Sequence, residues 1–254
     1  MVATTMAEKF SILALHGFTG SGTDFDLARS LFPADIAWDT PDIPALPLDK
    51  LCEFLRGRWE KLSGSRTLLG YSMGGRIALH LVARLSWCAG DKLVLVSASP
   101  GLADPQQRAA RRNNDELLAR EIDSCRSATE FYERWRQTPL IATQDRMPPP
   151  WRERLLASRC RGDLHTWASH LRLLGTGLLP SLWGKLSGIV AAETLVVVGE
   201  EDAKFSRIAA QMVAEIPHCR RIVVAESGHA PHLENAAEFA RLLSPLLFDK
   251  PALL

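Results

Sequence analysis

The chain has 254 residues, 46% hydrophobic and 23% charged, which suits one large globular domain or a core carrying one insertion. Its 30 basic and 29 acidic residues leave a formal charge of +1, so no overall field draws nucleic acid or an anionic membrane. Any preference for anions must come from local clusters of cations. The five cysteines, Cys52, Cys88, Cys125, Cys160 and Cys219, are odd in number and lack Cys-x-x-Cys spacing. They read as free thiols in a reducing compartment. Met1 to Lys9 is polar and lacks the apolar stretch of a signal peptide. No apolar run approaches the ~18 residues of a membrane span, so cytoplasm is the expected location.

In chain order, Phe10 to Leu15 reads as a buried strand, followed by the turn-rich His16-Gly17-Phe18-Thr19-Gly20 and a helix from Thr23 to Leu31. Ile36 to Asp39 is a short strand, Pro41 to Pro47 a loop, and Leu48 to Leu62 an amphipathic helix. Then come a strand at Thr67 to Tyr71, a helix at Met73 to Leu85 and a strand at Lys92 to Ala98. This alternation predicts a parallel sheet covered on both faces. From Asp104 to about Leu182 no strand is visible, only helical periods broken at Pro139 and Pro148-Pro149-Pro150. The alternation resumes with a strand at Thr194 to Val198, a helix at Ser206 to Ile216, a strand at Arg221 to Ala225 and a helix at Ala236 to Leu247. The expected organisation is therefore a core of residues 1–100 and 186–254, with residues 101–185 inserted as a helical cap. Ligands of α/β sheets bind beyond the carboxyl ends of the strands, where such an insertion lies over the site.

Gly70-Tyr71-Ser72-Met73-Gly74 fits Gly-x-Ser-x-Gly, with a strand before it and a helix after it. That context marks a nucleophile elbow, in which small residues permit a tight turn that exposes the serine hydroxyl. A serine needs a neighbour to accept its proton. Asp202, after the strand ending at Val198, and His229, after the strand ending at Ala225, supply acid and base at the same sheet edge. Glu200 and Glu201 compete for the acid role and His232 for the base role. A metal site at His229, His232 and Glu234 lacks a zinc-ligand pattern, and no metal or cofactor is expected. The backbone N–H groups of Phe18 and Met73 stand where this arrangement places its oxyanion hole. His16 reads as a structural loop residue.

Arg76 stands four residues after Ser72 and so shares its helix face. It reads either as a clamp for a substrate carboxylate or as a cation reaching solvent at the helix edge. The expected insertion adds Arg108, Arg111, Arg112, Arg120, Arg134, Arg136, Arg152, Arg154, Arg159 and Arg161. Most of these belong on the surface; two or three turned inward would make a polyanion site.

These blocks place the chain in the α/β-hydrolase fold: a mostly parallel twisted sheet flanked by helices, with an inserted helical cap. More closely, it resembles the 2-succinyl-6-hydroxy-2,4-cyclohexadiene-1-carboxylate synthases of menaquinone and phylloquinone biosynthesis. The resemblance is carried by Leu15 to Gly20, Gly70 to Arg76, Pro100-Gly101-Leu102 with Gln107 to Arg111, Trp135 with Gln137-Thr138-Pro139, Gly199 to Phe205, and Ser227 to Asn235. It implies a lyase that eliminates pyruvate from a small tricarboxylate by triad-assisted proton abstraction. It further implies Arg76, Arg111 and Arg159 as carboxylate clamps, with Tyr71 and Trp135 lining the pocket. The chain departs from its relatives in two places: Asp42-Ile43-Pro44-Ala45-Leu46 replaces Asp-x-Pro-Gly-His-Gly, and Arg136 stands beside Trp135 where an aromatic residue is expected. A serine hydrolase, either a carboxylesterase or a carbon–carbon bond hydrolase, is the alternative on the same triad. A non-catalytic binding protein has no need of the complete Ser–Asp–His set.

Overall fold

The computed structural model describes residues 10–191 and 193–248; the polar stretch Met1 to Lys9 lies outside them. Six strands form one sheet in which every pairing is parallel: β1 (Phe10–Leu15), β2 (Ala37–Asp39), β3 (Ser65–Tyr71), β4 (Lys92–Val96), β5 (Glu193–Gly199) and β6 (Cys219–Val224), in the order β2-β1-β3-β4-β5-β6. The central strands are buried on both faces, which explains their runs of leucine and valine. Alternate residues point to opposite layers. Leu13, Leu68, Leu93 and Val196 meet α2 (Leu48–Trp59), α3 (Met73–Val82) and α8 (Ala203–Glu215) through Leu51, Ile77 and Met212. Ile12, Leu69, Val94 and Val197 meet α1 (Asp26–Arg29) and α9 (Ala236–Phe248) through Ala28, Phe239 and Leu243.

Between β4 and β5 the chain leaves the sheet for α4 (Pro105–Ser124), α5 (Ala128–Trp135), α6 (Pro149–Cys160) and α7 (Leu164–Leu174). Three of them begin at the signals the sequence provides. The side chains of Asp104, Ser127 and Asp163 accept N–H groups of the first turns of α4, α5 and α7, and prolines stand in the first turns of α4 and α6. The inserted helices have an apolar centre of their own, in which Ile122, Phe131, Trp167 and Leu171 meet.

Several expected elements have other bounds, and for three the cause is visible. The helix foreseen at Thr23 to Leu31 is a 3-10 turn, Gly22–Phe25, followed by the single turn α1. Asp24 is drawn inward here to meet Arg159, and Asp42 Oδ1 accepts the Gly22 N–H. The last strand starts at Cys219, two residues before Arg221, because it is an exposed edge strand whose arginines hide its pattern. Helix α8 starts at Ala203, ahead of Ser206, because the Asp202 side chain caps it.

Candidate active site

Every strand of a parallel sheet delivers its carboxyl end to one edge, and there Ser72, Asp202 and His229 meet. Ser72 links β3 to α3 with φ 52° and ψ −108°, a left-handed conformation that costs roughly 1–3 kcal/mol for a non-glycine residue. Two hydrogen bonds hold it there: its N–H donates to Val96 O at 2.9 Å, and its carbonyl accepts the Arg76 N–H at 3.1 Å. The turn closes only because Gly74 lacks a side chain, since a Cβ there would stand 2.1 Å from Leu15 O.

His229 Nδ1 lies 2.7 Å from Asp202 Oδ2, and His229 Nε2 lies 3.0 Å from Ser72 Oγ. A carboxylate only accepts, so Nδ1 carries the proton; the Nε2 lone pair is then free to take the one Ser72 donates. The imidazole sits between two rings, Phe205 with centroids 4.5 Å away and Tyr71 at 5.5 Å. The second oxygen of Asp202 accepts the Phe205 N–H at 3.1 Å. One short run, Asp202-Ala203-Lys204-Phe205, thus supplies both the acid and a wall of the histidine's slot.

The competing acids and base are occupied elsewhere. Glu201 pairs with Arg146, and Glu200 accepts the Glu226 N–H. His232 is fully buried against Tyr71, Phe25 and Phe239, and burial pushes its pKa down to about 3. Glu234 is also buried, and its carboxylate accepts the N–H groups of Gly228 and Ala230, on either side of His229, and the Thr143 hydroxyl. It braces the histidine loop and is not free to hold a metal. Among the described residues no group of three or more His, Cys, Asp or Glu is placed to hold a metal ion.

The Ser72 pocket is lined by Phe18, Tyr71, Met73, Arg76, Arg111, Trp135 and His229, together with α7 residues. Met73 is the first residue of α3, so its N–H has no partner within the helix. Arg76 Nη2 donates to Leu174 O at 2.8 Å, while its buried Nε has no partner. Burial, with Arg111 nearby, lowers the Arg76 pKa to about 10. Arg111 is held at 2.7 Å by Asp115. Two arginines therefore line one pocket, and only Arg111 is paired with a carboxylate there. The Trp135 ring packs edge-on to Phe18, with centroids 5.3 Å apart.

The sequence pattern of the alpha/beta hydrolase family matches residues 12–242. Over 247 residues the chain is 30% identical to the 2-succinyl-6-hydroxy-2,4-cyclohexadiene-1-carboxylate synthase of Escherichia coli O157:H7, covering 93% of each. The chain belongs to that family of α/β hydrolases. A relative from Bacillus subtilis (strain 168), named as a putative synthase of this kind, is 29% identical over 250 residues, covering 93% of this chain and 90% of that one. The solved structure of MenH from S. aureus superposes with a TM-score of 0.87 at 28% identity, covering 96% of this chain and 95% of that one.

Arg159, foreseen as a third clamp of the family, is not among the residues lining the Ser72 pocket. It is 4% exposed and donates from Nη2 to Asp24 Oδ2 at 2.6 Å, while its Nε and Nη1 have no partner. The departure at Asp42 to Leu46 has a structural counterpart: Ile43 donates its N–H to His16 Nε2 at 2.9 Å and accepts from His170 Nε2 at 2.9 Å. His16 is thereby fixed as a loop support, with Nδ1 donating to Gly17 O. Arg136, where an aromatic residue was expected, turns outward to Asp145. Glu234, Phe205, Asp115 and His170 were not singled out from the sequence as supports of the site. The partner of His170, Ile43, lies 127 residues away, and no local pattern marks such a pair.

Proposed function

We propose that this chain eliminates pyruvate from 2-succinyl-5-enolpyruvyl-6-hydroxy-3-cyclohexene-1-carboxylate, giving 2-succinyl-6-hydroxy-2,4-cyclohexadiene-1-carboxylate on the route to menaquinone or phylloquinone. The observation that carries this reading is the pairing of Arg76 and Arg111 on the wall of the pocket into which the Ser72–His229–Asp202 relay opens. A neutral ester has no use for two cations beside its serine. A small molecule with three carboxylates does.

The proton to be lost sits on ring carbon 2, acidified by the adjacent succinyl ketone and by the neighbouring ring double bond. Ser72 takes it and passes its own to His229 Nε2, and Asp202 stabilises the resulting imidazolium. Negative charge gathers on the ketone oxygen, where the Phe18 and Met73 N–H groups receive it. The electrons then form the 2,3 double bond, the 3,4 double bond moves to 4,5, and the bond from carbon 5 to the enolpyruvyl oxygen breaks. His229 returns the proton to the departing enolpyruvate, which becomes pyruvate. Atoms balance without water.

Arg76 and Arg111 hold two of the carboxylates. Arg159 offers its unpartnered Nε and Nη1 to the third once the inserted helices, acting as a lid, shift to admit substrate. Tyr71 and Trp135 shape the apolar walls, and no resident metal or cofactor takes part. A hydrolase acting by attack of Ser72 on an ester is the competing reading on the same triad. The decisive measurement is pyruvate release from the enolpyruvyl substrate, beside hydrolysis of a neutral chromogenic ester. Ester turnover without pyruvate release would reject the lyase.

A further inference from the structure

A second cleft of about 580 Å³ opens one helical turn beyond Arg76 and shares no lining residue with the Ser72 pocket. Arg76 and His80 follow Ser72, which caps α3, at four-residue spacing and so share one stripe of that helix, and Arg84 stands in the turn just after it. Ser72 and Arg76 belong to the catalytic pocket, and His80 and Arg84 to the second cleft. Its walls are apolar: Leu79, Val82, Leu178, Leu182, Leu186 and Ile189. Its remaining charged or titratable lining is Arg84, Lys185, Asp49 and His80. Asp49 is engaged by Arg84 at 2.6 Å, whereas exposed Lys185 makes no ion pair among the described residues. His80 is 9% exposed, and its Nε2 has no partner.

We infer that this cleft binds an amphipathic monoanion, an apolar body carrying one carboxylate or sulfonate, with its tail among the leucines and its head at Lys185 and Arg84. Water is a poor occupant of a leucine-lined hollow, because the wall offers it few hydrogen bonds. The rim carries two cations against one acid that is already paired, so the surplus charge calls for an anion. Burial and the neighbouring Arg76, Arg84 and Lys185 lower the His80 pKa to about 4. At neutral pH it therefore adds a polar contact without adding charge. The occupant lies against Leu173, one residue before the carbonyl that holds Arg76.

The test is calorimetric titration of the full chain with dodecanoate below its micelle concentration, with dodecanol as the uncharged control. We expect saturable binding at one site, at least tenfold weaker for the alcohol. Lys185→Glu changes an exposed side chain and should weaken dodecanoate at least tenfold. Ala83→Trp fills the cleft from an exposed position just after α3 and should abolish binding. Sulfonylation of Ser72 should leave binding unchanged. The inference is overturned if no saturable binding occurs. It is equally overturned if binding survives Ala83→Trp and Lys185→Glu in variants with the parent circular dichroism, or is lost when Ser72 is blocked.

Discussion

Glu234 touches no reacting atom, yet replacing it by Gln should damage the chemistry. Its two oxygens accept the N–H groups of Gly228 and Ala230 and the Thr143 hydroxyl. A glutamine keeps one acceptor oxygen and turns its NH2 towards a buried donor. One backbone N–H beside His229 is then left unpaired, at a cost of about 1–3 kcal/mol. For a chain of this size each kcal/mol lowers the thermal midpoint by roughly 2–4 °C. The loop that aims Nε2 at Ser72 Oγ, now 3.0 Å away, loses its brace. A misplacement on the order of 1 Å can reduce rate about a hundredfold. We therefore expect kcat to fall about 10- to 100-fold with KM little changed, because Arg76 and Arg111 are untouched. Pyruvate release and neutral-ester hydrolysis should fall together, since both use the relay. Steady-state kinetics on both substrates, with a melting curve, test this. A lowered melting point with an intact kcat would show that Glu234 serves stability alone.

Arg76→Ala should separate the two activities: losing one charge-assisted hydrogen bond, about 1.5–3 kcal/mol, reduces kcat/KM for pyruvate release about 10- to 150-fold. Ester hydrolysis should be nearly unchanged, and the reverse pattern would remove Arg76 from carboxylate binding. Asp202→Asn should cut turnover by roughly 10⁴ by favouring the wrong histidine tautomer, and near-normal turnover would move the acid role elsewhere. The His232 pKa of about 3 in the fold lies below its ordinary value of 6.5, so the unfolded chain binds the extra proton between them and stability is lost as pH falls through that window. At pH 5 this amounts to about 2 kcal/mol; His232→Phe should gain that much relative to the parent at pH 5 and almost none at pH 7.5 in urea titrations, and equal gains at both would refute it. Activity should survive dialysis against a chelator, and loss restored by zinc would show a metal requirement.

The meeting of Ser72, Asp202 and His229 was legible in the sequence because each follows a strand, and parallel strands deliver their ends to a common edge. The Gly-x-Ser-x-Gly turn announces itself through glycines that no side chain can replace. Arg76 was legible by its spacing from Ser72 on one helix. What could not be read was pairing at long range. Nothing local tells that Asp24 reaches Arg159 across 135 positions, so the buried ion pair that leaves Arg159 two spare N–H groups could not be read. The periodicity shortens the edge strand β6 for a related reason: Arg220 and Arg221 are polar because solvent covers them, and backbone pairing with β5 makes them a strand.

The sheet's order bears on when the enzyme becomes active during synthesis. Ser72 is complete within the first third of the chain, but its base lies 157 residues later. At roughly 5–20 residues per second, a ribosome needs about 8–30 s to cover that distance. Throughout that interval Ser72 has no imidazole to take its proton, and an unassisted serine hydroxyl is a poor nucleophile. Only when β6 docks at the open edge of the sheet is the proton acceptor delivered. A chain that ends before His229 therefore lacks the proton acceptor for Ser72.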